Sequence, residues 1–584
     1  MSLCFRARDT ALDGKVARLL SGSVFALWLR RAGKEVGMTR RTHTAWRMSR
    51  PYRPILRLVV RFWRHVLASF RETVWVRRAG LFIDGIRYKL ESYGFAFSAD
   101  PDQAQLPDNG PMRRVGALHF ALEWVPMARS DGTEIAHTAA RLRLQVGPDN
   151  LTANRNVWSD TVHESVLVSA YPLALWLAAY WWRLHWEPLP APGTHVSLDW
   201  RRAHEMEAAG YGFVWPHTLW VSDGEAMHLW AVAARTQDKR RKAVRYVTGT
   251  GGPVSLPLKD FTDGVEDFLT ATVWRLKVRT RFYGDSTLRT QWDDLCRDRA
   301  DPRRAEWRRF EAELGFALGQ CPNGLMDQVL ILKDAMGRAV SELLPAYGRL
   351  AGLAFVPLQA LAGTAGVPGR PVDPRRLGSK TIPQGASWLQ AAVIARELRA
   401  AMGVAEGALE DKALYELLGI TKKAADGLTL GPHARAAVGI PAVSGAYRFL
   451  AREGDRPTRR FEWARLFADF LLPEETRGPW LASTDLMSWR QKYQRAFAAE
   501  LLCPFEALQT YLNGNTSAAG VDLAARDFGV PVDIVEAVLA YNGILSSRVR
   551  FGDPKTGFPM YQGRFASQYA WLPGGKGLTS FRKM

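Results

Sequence analysis

The spacing of apolar and polar residues divides the chain into a strand-rich first part and a helical second part. Two β-hairpins are predicted, over residues 116–146 and 213–234, because apolar runs of strand length flank a Ser-Asp-Gly turn signal in each. Between them, residues 166–182 are almost continuously apolar. A stretch of this length containing a proline predicts a buried helix, because a membrane span needs about 20 apolar residues.

Beyond residue 256 the period of the apolar positions changes to three and four, which predicts helices. The predicted helices cover residues 260–279, 301–320, 325–344, 386–403 and 411–418. Residues 363–385 are rich in Gly and Pro and have no apolar period, so they predict an exposed linker.

These elements predict a multidomain α+β protein with a mixed α/β domain containing hairpins at its N-terminal side, a helical middle and a mostly helical C-terminal domain. The predicted segments are a basic N-terminal extension with an amphipathic helix (1–75), a Trp-rich α+β domain (76–255), a helical region (256–362), a Pro/Gly linker (363–385), a C-terminal domain (386–550) and a C-terminal tail (551–584).

Positive charge is concentrated at the N-terminus. The 584 residues include 78 Lys and Arg against 58 Asp and Glu, a net charge of +20, and residues 1–80 alone contribute 18 basic and 4 acidic side chains, a net of +14. Arg53, Arg57, Arg61 and Arg64 lie on one helical face, with Trp63 beside them. This pattern favours an amphipathic surface helix whose Arg face is solvated. The alternative is a helix that binds phosphate groups, those of nucleic acid or of an anionic membrane surface, and these five residues are then the predicted nucleic-acid-binding residues.

Several classes of site are disfavoured by the composition. The four cysteines are scattered without a C-x-x-C pair, which argues against a disulfide scaffold and a thiolate zinc site. Ten of the eleven histidines lie at or before His228, so the C-terminal part cannot build the usual histidine zinc site. We therefore predict no metal, no cofactor and no catalytic residue. With no signal peptide and no convincing membrane span, a cytoplasmic location is expected.

The most specific string in the chain is AFAAELLCP at residues 496–504. It resembles the second helix of the ImmA/IrrE metallopeptidase family, whose pattern is E-x-x-A-N-x-F-A-x-x-L-L-x-P. Residues 389–418 resemble the opening helices of that family, and residues 521–545 resemble its closing winged-helix-like segment. The resemblance covers about residues 386–550 and implies a zincin-like C-terminal domain.

The resemblance also implies that the zinc site is degenerate. In the family, two histidines of an H-E-x-x-H helix and a glutamate of the second helix bind zinc, and the first glutamate is the general base. Phe461 and Arg465 stand at the histidine positions, Gln491 at the third ligand position, and Glu462 remains at the base position. Because Phe cannot bind a metal and Arg is permanently charged, the resemblance implies a pseudo-peptidase. We expect Arg465 to pair with Glu462 in place of the zinc, or both side chains to be solvated.

Residues 523–545 also have the outline of a helix-turn-helix, with Gly529 at the turn and a second helix from about Val532. The second helix carries Asp533 and Glu536 but no Lys or Arg. A DNA-recognition helix is normally basic, so an element that closes the domain is favoured.

Three functions are compatible with the sequence. The favoured one is a non-catalytic bacterial regulatory or sensor protein of stress response, mobile-element control or anti-phage defence, with nucleic acid or a protein encoded nearby as partner. The second is a nucleic-acid-binding component of a defence complex that uses the Arg-rich N-terminus. The third is an enzyme in the N-terminal α+β domain, for which the candidate residues, or else ordinary caps and surface groups, are Asp160, His163, Glu164, Asp199, His204 and Glu205.

Overall fold

The computed structural model describes residues 116–545 with gaps at 126–132, 190–196, 235–243, 251–252, 280–282, 348–354, 373–386, 405, 428 and 431–433, together with five short strands before residue 115. The chain divides into two compact units, Met1–Ala99 and Asp100–Met584. In the first unit, two antiparallel hairpins are described. They consist of β1 (Thr39–Thr42) with β2 (Ala45–Arg47) and β3 (Gly80–Ile83) with β4 (Ile86–Lys89).

The first part of the second unit, residues 113–300, is called the Trp-rich lobe below. Its strands are β5 (Arg113–Arg114), β6 (Leu118–Trp124), β7 (Ala139–Val146), β8 (Asp149–Asn150), β9 (Asn154–Asn156), β10 (Val162–His163), β11 (Val166–Ser169), β12 (His217–Ser222), β13 (Ala226–Val232), β14 (Val244–Tyr246) and β15 (Val254–Pro257). Its helices are α1 (Glu134–His137), α2 (Ala170–Ala179), α3 (Trp181–Trp186), α4 (Leu198–His204), α5 (Leu258–Arg279) and α6 (Thr287–Ala300).

Three small sheets surround the core of this lobe, with strand orders β11-β7-β6, β12-β13-β15-β5 and β10-β9-β14. Every pairing in them is antiparallel except that between β15 and β5. On β7, Leu142 and Leu144 are fully buried, whereas Arg141 and Arg143, which alternate with them, are exposed. This alternation places the apolar face of the strand against α2 and α5, whose aromatic side chains fill the core.

The remaining part, residues 302–541, is called the C-terminal lobe. Its strands are β16 (Val367–Gly369), β17 (Thr429–Leu430), β18 (Ala436–Pro441), β19 (Tyr447–Arg452) and β20 (Leu481–Thr484). Its helices are α7 (Pro302–Glu313), α8 (Asn323–Met336), α9 (Val340–Tyr347), α10 (Phe355–Gly363), α11 (Ser387–Ala401), α12 (Asp411–Leu418), α13 (Lys422–Gly427), α14 (Arg456–Leu471), α15 (Glu474–Arg477), α16 (Trp489–Leu502), α17 (Phe505–Leu512), α18 (Ala518–Phe528) and α19 (Val532–Tyr541).

One sheet forms the centre of the C-terminal lobe, with strand order β16-β19-β18-β20 and β17 beside β19. Alternate residues of each strand face opposite sides. Val438 and Ala482 pack with the helices α7–α10, whereas Phe449 and Leu481 pack with α11, α14 and α16. The sheet is therefore covered by helices on both faces, and β20 is an edge strand.

The architecture confirms the predicted α+β class, with mixed helices and mostly antiparallel sheets. The helix predicted over 411–418 has those bounds, and the hairpin over 213–234 is present as β12 and β13. The predicted strand over 135–146 is wrong in its first residues, because Thr133 caps the short helix α1 before β7 begins. The apolar stretch over 166–182 likewise begins as a strand, β11, before α2 and α3.

The domain boundaries predicted at residues 75, 255 and 362 stay predictions, and the two compact units divide the chain at Ala99. The linker over 363–385 is only partly a linker. Val367 within it is buried, and Val367–Gly369 pairs with β19 as strand β16. Among the described residues, no helix is long and apolar enough to cross a membrane.

Candidate functional site

The two helices that correspond to the degenerate peptidase motif, α14 and α16, lie side by side across the C-terminal lobe. Asp455 caps α14 by accepting the Thr458 amide at 3.0 Å, and Ser488 caps α16 by accepting the Gln491 amide at 3.3 Å. Both helices are buried on nearly all sides, including most of their charged residues. Each buried charge needs a partner, because an isolated charge in the interior is very costly.

Arg465 and Gln491 contact each other directly. The guanidinium Nη2 of Arg465 donates to the Gln491 Oε1 at 2.7 Å and to the Thr484 carbonyl oxygen at 2.5 Å. Arg465 is 2% exposed and Gln491 is fully buried. Phe461, at the other histidine position, is part of the apolar core. The contact brings together two of the four predicted residues.

Glu462 is paired, but not with Arg465. Its Oε1 accepts the Arg452 Nε at 2.6 Å, its Oε2 accepts the Arg452 amide at 2.7 Å, and the same guanidinium reaches Asp485 at 2.7 Å. Burial alone would lower the pKa of Arg452, but the charges of Glu462 and Asp485 outweigh it and raise that pKa. The expected Arg465–Glu462 pair is therefore wrong, because the carboxylate turns toward strand β19.

The same helices cover the open edge of strand β20. The Ala482 amide donates to the Asp469 Oδ2 at 2.9 Å, and the Thr484 amide donates to the Gln491 Oε1 at 2.8 Å. The Ala482 carbonyl accepts from Gln491 at 3.0 Å and from Gln494 at 2.8 Å. With the bond from Arg465 to Thr484, all four outward backbone groups of this edge have side-chain partners. A peptide could not pair with this edge unless these bonds broke.

A buried ion pair adds to this arrangement. Arg490 on α16 donates from Nε and Nη2 to the two carboxylate oxygens of Asp469 on α14, both at 2.7 Å. Burial alone would lower the pKa of Arg490, but Asp469 outweighs it and raises that pKa. Glu342 on α9 accepts the Ser488 hydroxyl at 2.7 Å, and burial raises the pKa of its carboxyl. The start of α16 is thereby fixed to α14 and α9.

The Trp-rich lobe contacts the same helix through the turn between β12 and β13. The Asp223 Oδ2 accepts from the Lys492 Nζ at 2.5 Å and lies 2.8 Å from the His228 Nε2. The Trp489 amide donates to the Asp223 carbonyl oxygen at 2.8 Å. Sequence reasoning identified the turn but missed this cluster, since Lys492 and Asp223 are 269 residues apart and form no motif.

The candidate cluster for an N-terminal enzyme is not one site. Asp160 and Glu164 lie in an exposed hairpin and form ion pairs with Arg155 at 2.6 Å and Arg143 at 2.9 Å. His163, in the same hairpin, contacts the Thr161 hydroxyl at 2.9 Å. These three residues belong to the hairpin of β9 and β10, whereas the other three candidates lie on or next to α4.

The second half of that cluster is occupied by structural contacts. The His204 ring is fully buried between the Trp220 carbonyl at 2.8 Å and the Glu187 carboxylate at 3.1 Å. Asp199 pairs with Arg183 at 3.0 Å, and Glu205 pairs with Arg201. Burial raises the pKa of Glu205. These contacts favour the alternative stated above, that the six residues are caps and paired polar groups.

The helix-turn-helix segment has the predicted turn and helices, and its second helix, α19, faces inward. Gly529 has a left-handed φ of 63°, and α19 begins at Val532. Val532 is the only exposed residue of α19, because its other side chains pack into the core or are half-buried. Asp533 is half-buried, and burial raises the pKa of its carboxyl to about 7. A helix in this position cannot enter a DNA groove without leaving the domain.

A cleft of about 730 Å³ lies between α12, the start of α14 and the α18–α19 turn. Its lining has five basic and four acidic side chains, and these are largely paired, as in the contact of Arg456 with Asp411. The cleft therefore has no strong charge preference. Among the described residues, no group of three or more His, Cys, Asp or Glu is placed to hold a metal ion. Arg53, Arg57, Arg61, Arg64 and Trp63 lie outside the described residues.

Comparison with known proteins finds no match: no family model fits the chain, no curated protein is significantly similar to it, and no solved structure matches it significantly.

Proposed function

We propose that this chain is a non-catalytic regulatory or sensor protein built on a zinc-less ImmA/IrrE-like domain over about residues 386–550. The observation that carries the proposal is the 2.7 Å hydrogen bond between Arg465 and Gln491, which joins the two positions that the resemblance assigns to zinc ligands. A cation fixed there repels a divalent metal, and the amide of Gln491 is already committed to the backbone of β20.

The surrounding contacts support a structural rather than a chemical role for this centre. The general-base position, Glu462, has both carboxylate oxygens bonded to Arg452, so it is not aimed at a water or a substrate. The edge strand that would be open to a peptide is bonded to side chains of α14 and α16 instead. In this proposal, the domain acts through the partners that it binds and in the cytoplasm, in stress response, mobile-element control or defence.

The experiment measures zinc in the full-length protein by mass spectrometry after purification without chelator. We expect far less than one zinc per chain. The proposal is refuted if the protein holds nearly one zinc per chain and if a chelator both removes that zinc and destabilises α14 and α16.

A reconstructed ligand set tests whether the resemblance itself is right. The variant Phe461→His, Arg465→His, Gln491→Glu should bind one zinc ion if α14 and α16 descend from a zinc site. The matched control carries Gln494→Glu in place of Gln491→Glu, because Gln494 is also fully buried and bonded to β20. If both variants fold and either both or neither of them binds zinc, the proposed ancestry is contradicted.

Nucleic acid is the second proposed partner, and the charge of the N-terminal residues supports it. Residues 1–80 contribute +14 of the total net charge of +20. Replacing Arg53, Arg57, Arg61 and Arg64 by Gln in the full chain should weaken single-stranded nucleic-acid binding. The slope of log affinity against log salt concentration should fall by the equivalent of about three to four phosphate contacts. If the variant keeps the wild-type slope, nucleic acid is refuted as a partner of this segment and a protein partner is left.

A further inference from the structure

Three polar side chains meet in a buried cluster where the Trp-rich lobe contacts helix α16. The Lys492 Nζ lies 2.5 Å from the Asp223 Oδ2 and 2.8 Å from the His228 Nε2, and the last two atoms are 2.8 Å apart. All three residues are at most 8% exposed. Asp223 also closes its own turn, since its Oδ1 accepts the amides of Glu225 at 2.8 Å and Ala226 at 2.7 Å.

The charges in this cluster balance when the imidazole of His228 is neutral, because one carboxylate faces one ammonium group. A further proton on the imidazole would place a second positive charge 2.8 Å from the Lys492 Nζ. Arg495 on the same helix adds a positive charge near Lys492, and Glu225 in the turn adds a negative one. Across the sheet, His228 is flanked by Val221 and Ser255, which carry no charge.

The electrostatic environment of the other two members agrees with this balance. Burial lowers the pKa of Lys492 despite the attraction of Asp223. Burial alone would raise the pKa of Asp223, but the attraction of Lys492, followed by the interaction with His228, outweighs it and lowers that pKa. The closed cluster therefore holds Asp223 ionised and already disfavours positive charge. A protonated His228 is therefore more stable when the turn has moved away from Lys492.

We propose that Asp223, His228 and Lys492 form an acid-sensitive latch, in which protonation of His228 releases the turn at residues 222–226 from helix α16. A solvent-exposed imidazole titrates near pH 6.5. If only the open form takes up the proton, the population of the open form increases about tenfold for each pH unit below that value.

The backbone around the cluster shows what opening would change. The Trp489 amide would lose its bond to the Asp223 carbonyl. The Trp489 indole packs so closely on Gly224 that a Cβ added there would lie 3.0 Å from the indole Cδ1, and Gly224 has a φ of +94°. Because α16 also carries Gln491, the latch would connect the Trp-rich lobe to the Arg465–Gln491 centre.

The test is hydrogen exchange of the full-length protein, followed by mass spectrometry of peptides covering residues 222–228 and 486–493. After correction for the intrinsic pH dependence of exchange, we expect opening of both segments to rise about tenfold between pH 7.5 and 5.5 in the wild type. His228→Gln should remove this increase. The matched control is His217→Gln on the same hairpin, which loses a 2.7 Å contact with Glu207 but should keep the wild-type response.

Two outcomes would overturn the proposal: a wild type whose opening does not respond to pH, or His228→Gln with the wild-type response. Exchange of β18 and β19 serves as the internal reference for global unfolding. If His228→Gln does not fold, Gly224→Ala provides the second test. It should push the turn off Trp489 and give fast exchange of both segments already at pH 7.5, and slow exchange in that variant would equally refute the latch.

Discussion

Removing the carboxylate of Asp469 should open the contact between α14, α16 and β20. Asp469 is fully buried and accepts three bonds, from the Arg490 Nε and Nη2 at 2.7 Å each and from the Ala482 amide at 2.9 Å. Asp469→Ala leaves a buried guanidinium without its counter-ion and a backbone amide without its acceptor. Breaking a buried pair in this way costs about 3–5 kcal/mol, and the orphaned amide adds to it. We expect a loss of at least about 4 kcal/mol in total.

The double variant Asp469→Leu, Arg490→Met separates the charge from the packing. Because it removes both members of the pair, it takes a partner only from the Ala482 amide and from the Trp480 carbonyl, which accepts from Arg490 at 3.5 Å. The loss should therefore fall to about 1–2 kcal/mol. The double variant should therefore be more stable than Asp469→Ala alone. The reverse order would mean that the pair attracts more than its desolvation costs, which is contrary to the reasoning.

The measurement is native-state hydrogen exchange of residues 481–484, because global unfolding of a chain with several lobes is not two-state. Asp263→Ala, which removes an exposed ion pair with Lys259, is the control and should leave this exchange unchanged. A change below about 1 kcal/mol for Asp469→Ala would refute the argument that this pair secures the edge of β20.

Two further substitutions test separate features. Asp533→Asn should raise the free energy of unfolding at pH 8 by about 2 kcal/mol and should change it little at pH 4. This value is half of what the pKa shift of Asp533 corresponds to, because the side chain is not fully buried. Because the pKa is raised to about 7, the wild type loses stability as pH rises from about 4 to 7. Hydrogen exchange of α18 and α19 as a function of pH measures this loss, and Asp522→Asn, at an exposed position, is the control. Gly419→Ala should destabilise α12 by at least about 2 kcal/mol, because φ is +63° and a Cβ would collide with the Arg370 carbonyl oxygen. Gly403 has a similar φ of +71° but open space around it, so Gly403→Ala adds the backbone strain without a collision. Hydrogen exchange of both variants separates the two effects, and equal losses of stability would contradict the collision at Gly419.

The sequence predicts the parts of the fold that depend on local signals. The helix over 411–418 ends where Gly419 takes a left-handed conformation, and α19 begins after Pro531, so both boundaries follow from residues next to them. Strand β16 escapes prediction because Val367–Gly369 is three residues long with Pro368 at its centre, which is too short for any apolar period. Its assignment depends on pairing with β19, about 80 residues away.

The candidate site shows the same division. The resemblance placed Arg465 and Gln491 at neighbouring positions, and they are in contact. The partner of Glu462 was mispredicted because a helix pattern suggests partners on the same helix, three or four residues away. The carboxylate instead binds Arg452, which lies on the adjacent strand and is supported there by Asp485. Such a choice depends on tertiary packing, which helical spacing does not encode.

Helix α16 is buried on nearly all sides although it is polar, and its polar side chains are bonded to several different elements. Arg490 binds α14, Gln491 and Gln494 bind β20, and Lys492 binds the turn of the Trp-rich lobe. A metal ion would fix α14 and α16 through a few strong bonds at one point. Here several weaker bonds spread along the helix fix the same geometry. Because these bonds share one helix, a change at the Asp223 turn would move Gln491 and Arg490 together, which is what the proposed sensor function requires.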